Sequence, residues 1–503
     1  MRVEIVGKCS SGWVEFSRSF FHERRGCNSV ATVMRINHWS HWVIAVPAAL
    51  LAACSSGQPS VNGSTPKETT PMTAVETVPN LTTPASTSLP VTSVPSVTDD
   101  VTGVQPRDGS TPGVRVWQLP DAPSGDRPDQ SWLAIGSDPE GNIFVSGHDH
   151  VRNAMLYRLD VESGLLTWVG DARTASEAVD NWRLNETAEK FHTRPTYHDG
   201  RMYVATLDKS SIDDVFRATR GFHWYAYNLD DGSFVDLSVG EPDGVGAKQL
   251  QVVTIQSDMV NGRIYGITIP ENKVLFYDVE RGLTTVVGSP DEWSGYFYSN
   301  RFMWTDSRGA LYLTGGTERS QWNQGEDRSV LDVVWKFDPE SGFVRTEFAL
   351  QALAAIEVGQ WDASRERLYV SDDMGHVYRF TDATGEWDYL GRPEFPAGEG
   401  PSGFNKVWVF QLDPDEQTIY LGRSDNPGSP NEIWQFDIGT GESSLLASLP
   451  ELDALAGSEA FITGYDSWDS NGSFYISAFS MYDSENAYLV GINPDQIRSS
   501  SSH

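Results

Sequence analysis

The stretch FHTRPTYHDGR, residues 191–201, spaces His192, Arg194 and Thr196 two apart. In an extended strand that spacing sets all three on one face, with His192 and Arg194 toward one end. His223 and Tyr225 repeat the spacing further on, and GHDHVRN supplies His148 and His150. An arginine that neutralises a carboxylate, beside a histidine or tyrosine that takes the α-proton, is the equipment of a polysaccharide lyase. His192, Arg194, His223 and Tyr225 are therefore the candidate catalytic set. A hydrogen-bonded structural histidine is the competing reading for His192. The His148-x-His150 pair could open a divalent-metal site, but spacing marks no third ligand, so no metal or other cofactor is assigned.

A second group of side chains has the chemistry of anion recognition. Arg152, Arg183, Arg217, Arg220, Arg301, Arg319, Lys406 and Arg423 join Arg194 in segments that also hold Trp182, Trp293, Tyr296 and Trp322. Arginine grips carboxylate or sulfate and aromatic rings stack on sugar faces, so the expected ligand is an anionic glycan. The expected contacts are His148, His150, Arg152, Arg217, Arg220, Arg301, Trp322 and Lys406. Against this, the same arginines can simply neutralise neighbouring Asp and Glu. There is no G-x-S-x-G, H-E-x-x-H or Walker motif. No cysteine follows Cys54, which excludes thiol catalysis downstream of it.

The elements that must position these residues come from repetition. YRLDVESGL, YNLDDGSF, FYDVERGL, WKFDPESGF, YRFTDATGEW and WQFDIGTGE are versions of one hairpin phrase, each following a strand built around Phe144, Tyr203, Tyr265, Tyr312, Tyr369 or Tyr420, with Tyr475 as a seventh. Gly141, Gly200, Gly262, Gly309 and Gly472 stand three residues before their aromatics, where a tight turn needs positive φ. Four short strands per period of about 50 residues are the mark of a β-propeller blade, and seven units give seven blades in an all-β fold. Asp160, Asp230, Asp278, Asp338 and Asp437 are expected to cap turns rather than bind calcium, since they lack dense alternation of acidic ligands. DSWDSNGS, residues 466–473, comes nearest to a calcium loop and also falls on a turn.

DPEGNIFVSG, DSRGALYLTGG and DSNGSFYISAF resemble the Asp-Gly strand starts of the NHL and SMP-30-like propellers. The resemblance covers most of residues 113–503 and implies the fold alone, because such propellers include lactonases, lyases, sugar dehydrogenases and binding platforms.

Before the repeats lie three segments. Residues 1–33 read as a mis-assigned start. MRINHWSHWVIAVPAALLAAC, from Met34, is similar to a bacterial lipoprotein signal, with Leu51–Cys54 as the lipobox and Cys54 as the lipidated residue. Residues 54–112 then form a tether: 30 of the 58 residues from Ser55 to Pro112 are Ser, Thr or Pro and none is aromatic, too little apolar surface to fold. Residues 1–53 carry six Lys/Arg against three Asp/Glu, so losing them takes the net charge from −32 to −35. That field disfavours nucleic-acid partners.

The seventh unit lacks a fourth strand, and GVRVWQLPD, residues 113–121, is the one candidate to supply it as the outermost strand of the last blade. On that placement the tether enters on the face opposite the long loops, and trimming at residue 105 is harmless. The leading reading is an envelope lipoprotein, extracytoplasmic, whose propeller binds an extracellular anionic oligosaccharide on its loop-rich face. The alternatives are a lyase or lactonase-like hydrolase, and a platform for envelope proteins.

Overall fold

The computed structural model describes residues 5–9, 12–16, 103–149, 153–184, 186–208, 219–269, 271–290, 302–315, 333–350, 356–372, 374–395, 407–423, 431–456, 460–480 and 486–500. The described part of the N-terminal unit, residues 1–87, is one hairpin, Ile5–Cys9 with Gly12–Phe16. Cys54 and the signal segment lie outside the described residues. Among the described residues no helix is long and apolar enough to cross a membrane.

The remainder is a seven-bladed β-propeller. Blades one to six are consecutive antiparallel sheets. Their inner strands begin at Ile135, Lys190, Gln251, Met303, Ile356 and Val407, and the sheets run outward in chain order. Each sheet is buried on both faces by its neighbours, so its alternate residues fill two interblade cores. Among the described residues Trp117, Trp224 and Trp304 and eight fully buried tyrosines are the largest side chains in these layers. In blades one, three, five and six the pairing of the third strand with the fourth slips by a residue at its upper end, as at Leu156/Tyr157 and Val377/Tyr378, and in blade four by two. Such bulges add twist, which lets a flat inner edge become a strongly inclined outer one.

The repeat signature has a physical cause at the turns joining first to second strands. Asp306 accepts from the backbone N–H of Arg308 and Ala310 and from the hydroxyl of Tyr312, at 2.9–3.2 Å. Asp469 does the same for Asn471, Ser473 and Tyr475, and Asp413 takes Tyr420 at 3.0 Å. The glycines of these turns sit at φ between 65° and 85°, where a Cβ is disfavoured. In blades four, six and seven the aromatic of the second strand is thus tied to the turn that precedes it. At the second type of turn Asp160, Asp278, Asp338 and Asp437 cap the N–H groups that follow. Asp230 does not; Asn228 and Asp231 cap that turn.

Blade seven closes the ring as the strand count requires. Its inner strands Ala460–Trp468, Phe474–Ser480 and Ala487–Ile492 are followed, in space, by Val114–Gln118, paired antiparallel from Gln118↔Tyr488 to Val114↔Ile492. Two details differ from expectation. Val114–Gln118 is not outermost, because Arg107–Asp108 pairs outside it. Nor does the folded region start at 113: Val104 bridges to Leu166 in blade one, and Ser110 and Thr111 donate to Glu451 beyond blade six. The turn 109–113 therefore reaches the connection between blades six and seven, and residues 103–108 run along the outer wall from beside the short turn 161–164 of blade one.

Candidate functional site

Connections between first and second strands, and between third and fourth, take two to five residues within a blade; connections between second and third strands, and between blades, take four to eighteen. The second set opens on one face, called the top here. The central channel between the faces is filled. Toward the top, Trp132 packs on Phe461, Phe479 and Trp408 with ring centroids 4.9–6.0 Å apart. At mid-height Tyr465 of blade seven crosses to blade five, its hydroxyl donating to the Gly359 carbonyl at 2.7 Å and accepting from the Gly359 N–H at 2.6 Å.

Arg194 lies on that Tyr465 ring, 4.8 Å from its centroid. Its guanidinium donates to the carbonyls of Ile135 and Tyr465 at 3.0 and 2.9 Å and pairs with Asp466 at 3.0 Å. One side chain from blade two thereby joins blades one and seven. His192 holds the carbonyl of Val253 in blade three at 2.9 Å. The alternation expected through FHTRPTYHDGR fails because Pro195 has no N–H to give the ladder: the inner strand splits into Lys190–Phe191 and Thr196–His198. The cavity lined by His192, Arg194, Gln256, Glu357 and Tyr465 measures about 30 Å³, room for roughly two waters and far too little for a sugar.

His223 and Tyr225 lie elsewhere, on the outer side of blade two. His223 donates from Nδ1 to Asp236 at 2.9 Å, and its Nε2 lies 3.5 Å from Glu186. Arg220 pairs with Glu186 at 2.5 Å and donates to the Asn181 carbonyl at 2.6 Å. Asn181 and Ser176 both donate to Asp236 at 2.9 and 2.7 Å, and the Tyr225 hydroxyl is held by Ser176 at 2.8 Å. This buried knot fastens the connection 172–189 to two others. Arg220 is thus spent on protein partners, and Tyr225 is sealed between blades.

Burial, and Arg220 3.0 Å from Nε2, oppose a charge on His223. The hydrogen bonds and charges of Asp236 and Glu186 outweigh them and raise it from 6.5 to about 9. A raised histidine stabilises the fold fully below its unfolded value and loses that contribution as pH rises through its folded one. The stability difference between the parent and His223→Gln, from urea unfolding, should therefore be largest below pH 6.5 and shrink toward pH 9. A difference independent of pH would mean a neutral ring accepting from Arg220. A histidine held charged at neutral pH is no general base.

Among the described residues the top mouth near blades one and two gathers carboxylates, Asp129, Asp149, Glu189 and Asp208. Burial, Asp149 and Glu189 push Asp129 up to about 7. Burial, with Glu186 and Glu189, pushes Asp208 up to about 6 against a hydrogen bond from Thr187. His148 is buried, its backbone bridged to Gln130. Arg183 bonds the Asp180 carbonyl, and Trp182 packs into the core between blades one and two. His150, Arg152, Arg217, Arg301, Trp322 and Lys406, with Trp293, Tyr296 and Arg319, lie outside the described residues, and Arg423 ends a strand of blade six. Among the described residues no three His, Cys, Asp or Glu converge as a metal set. An open cleft of about 370 Å³ between blades five and six is lined by Arg367 and Arg379, which pair with Glu416 and Asp388.

The sequence reading missed Asp466, Tyr465, Glu186 and Asp236. The YD step in FITGYDSW was the available signal for the first two, on an inner strand where a charged residue needs a partner.

No protein-family model matches the chain, and no curated protein matches it. Solved structures do. A chain from the crystal structure of the mitotic checkpoint complex is 13% identical, covering 84% of this chain and 99% of its own, with a TM-score of 0.47. An oligogalacturonate lyase in complex with manganese is 10% identical over 79% of this chain and 98% of its own, TM-score 0.47. The Cps50 (Swd1) beta-propeller domain of Myceliophteria thermophila is 10% identical over 71% and 96%, TM-score 0.44. These likenesses concern the fold alone.

Proposed function

We propose that the chain is an extracytoplasmic binding propeller, carried on a lipid at Cys54, that holds an anionic glycan on its top face by residues of blades three to six. The observation that carries this reading is the asymmetry of the two faces. One is built from short Asp-capped turns, whereas the other takes connections of up to eighteen residues, and long connections on a rigid scaffold are where binding resides. Arg301, Arg319, Trp322 and Lys406 in those connections supply the chemistry for an acidic sugar. The carboxylates at the mouth of blades one and two set the anion's place toward the other side.

Catalysis by the sequence-derived histidine and arginine set has less support. His192 and Arg194 hold carbonyls across a filled channel, and His223 and Tyr225 belong to a separate buried knot. Titration calorimetry of the mature chain with uronate, sulfated and neutral oligosaccharides, followed by ultraviolet absorbance for unsaturated products, tests the reading. Binding of an acidic oligosaccharide without turnover is expected. Unsaturated products would establish a lyase instead, and no binding to any acidic sugar would remove the glycan from the proposal.

A further inference from the structure

We propose that Asn261 is a modification site: water removes its side-chain amide without an enzyme and leaves aspartate or isoaspartate at the lower seam between blades three and four. The reaction belongs to the Asn-Gly dipeptide, residues 261–262, because glycine has no Cβ to keep its nitrogen from the neighbouring side chain. The Gly262 nitrogen attacks Cγ of Asn261, the Cγ–Nδ2 bond breaks, and the displaced nitrogen leaves as ammonia with the proton of the Gly262 N–H. Water then opens the cyclic imide at either carbonyl. Opening at Cγ gives aspartate, and opening at the backbone carbon gives isoaspartate, in which the chain continues through the side chain. The balance is one water in and one ammonia out.

Two Asn-Gly pairs lie in the turns that join first to second strands, and the fold treats them differently. In blade seven the Gly472 N–H donates to the Asp469 carbonyl at 3.0 Å, and Asn493 holds the Asn471 carbonyl at 2.6 Å. That nucleophile is engaged. The turn in blade three is one residue longer, from Asp258 to Arg263, and among the described residues the Gly262 N–H has no acceptor. Asn261 is exposed, and Gly262 sits at φ 65°. Asp258 is wholly buried and accepts from the N–H groups of Val260 and Asn261 and from Nδ2 of Asn261, at 2.8–3.1 Å. Losing the amide removes one donor and sets a second carboxylate against the first. Nδ2 also lies against Gly309 of blade four, where a Cβ would collide with it. Isoaspartate adds a backbone carbon to a turn whose ends are fixed, so the contact between the two blades loosens.

The test is incubation of the mature chain in mildly alkaline buffer made with oxygen-18 water, folded and in concentrated urea, followed by peptide mass spectrometry. Each modified site takes one heavy oxygen from the water. In the folded chain Asn261 should take label about fivefold faster than Asn471, the factor for the hydrogen bond that Gly472 must first break. In urea the two sites should take label alike, since the dipeptides are the same. Asn261→Asp, which imitates one product, should melt about 2 °C or more below the parent. The labelling needs no variant, so it decides the matter even if Asn261→Asp fails to fold. Equal labelling of the two sites in the folded chain, or no label at Asn261, would overturn the proposal. A parent-like melting temperature for Asn261→Asp would overturn the weakening of the seam.

Discussion

Deleting residues 113–121 from the mature chain is expected to leave a protein that aggregates or unfolds at ambient temperature. The segment contributes the fourth strand of blade seven, paired along all of Val114–Gln118. It also buries Val114, Val116, Trp117 and Leu119, each at 2% exposure or less. At about 1.5–3 kcal/mol for each buried apolar side chain, the loss is on the order of 8 kcal/mol, comparable to the whole net stability of a domain. The Trp117 indole also donates to the Gly164 carbonyl of blade one at 2.9 Å, so the deletion opens the seam between the first and last blades as well as an edge. The control is truncation before residue 103, which removes none of these contacts. Truncation at residue 113 should fall between the two, since it gives up the Val104 bridge and the hydroxyls on Glu451. Circular dichroism melting and light scattering read all three, and a 113–121 deletion as stable as the parent would refute closure by this strand.

Arg194→Ala is expected to lower unfolding free energy by about 3 kcal/mol or more, the scale of breaking a largely buried ion pair. The substitution leaves Asp466 facing the channel without its cation, frees two carbonyls and uncovers the Tyr465 ring. Adding Asp466→Asn to Arg194→Ala should recover part of the loss, because much of the penalty belongs to the stranded carboxylate. Arg194→Lys should recover little: an ammonium cannot reach three acceptors in two blades as a planar fork does. Urea unfolding of this double-mutant cycle gives the coupling directly. An Arg194→Ala protein of parental stability that no longer bound acidic sugar would restore the ligand role expected from the sequence.

The contrast between these two results separates what was legible from what was not. The seven blades, their Gly turns, the capping Asp residues and the need for an N-terminal strand all follow from contacts made within a few residues or from strand counting. Asp306 and Tyr312 are six residues apart, as are Asp469 and Tyr475, so their bonds leave a local mark in the sequence. The split at Pro195 was legible in principle, since proline cannot serve an inner ladder, but period-two alternation masked it.

Arg194 meets Tyr465 across 271 residues of sequence, and Ser110 meets Glu451 across 341. Nothing local to FHTRPTYHDGR distinguishes an arginine that will face an acidic sugar from one that will hold two blades together. The composition of residues 103–112 matches the tether before them, yet the hydroxyls of Ser110 and Thr111 find a carboxylate that is distant in sequence, in the connection between blades six and seven. The sequence by itself determined the repeat, because each turn and hairpin closes on itself. The tertiary structure decided which polar side chains were left for a ligand, because closing the ring brings distant blades together and buries charges that must then find partners within the protein.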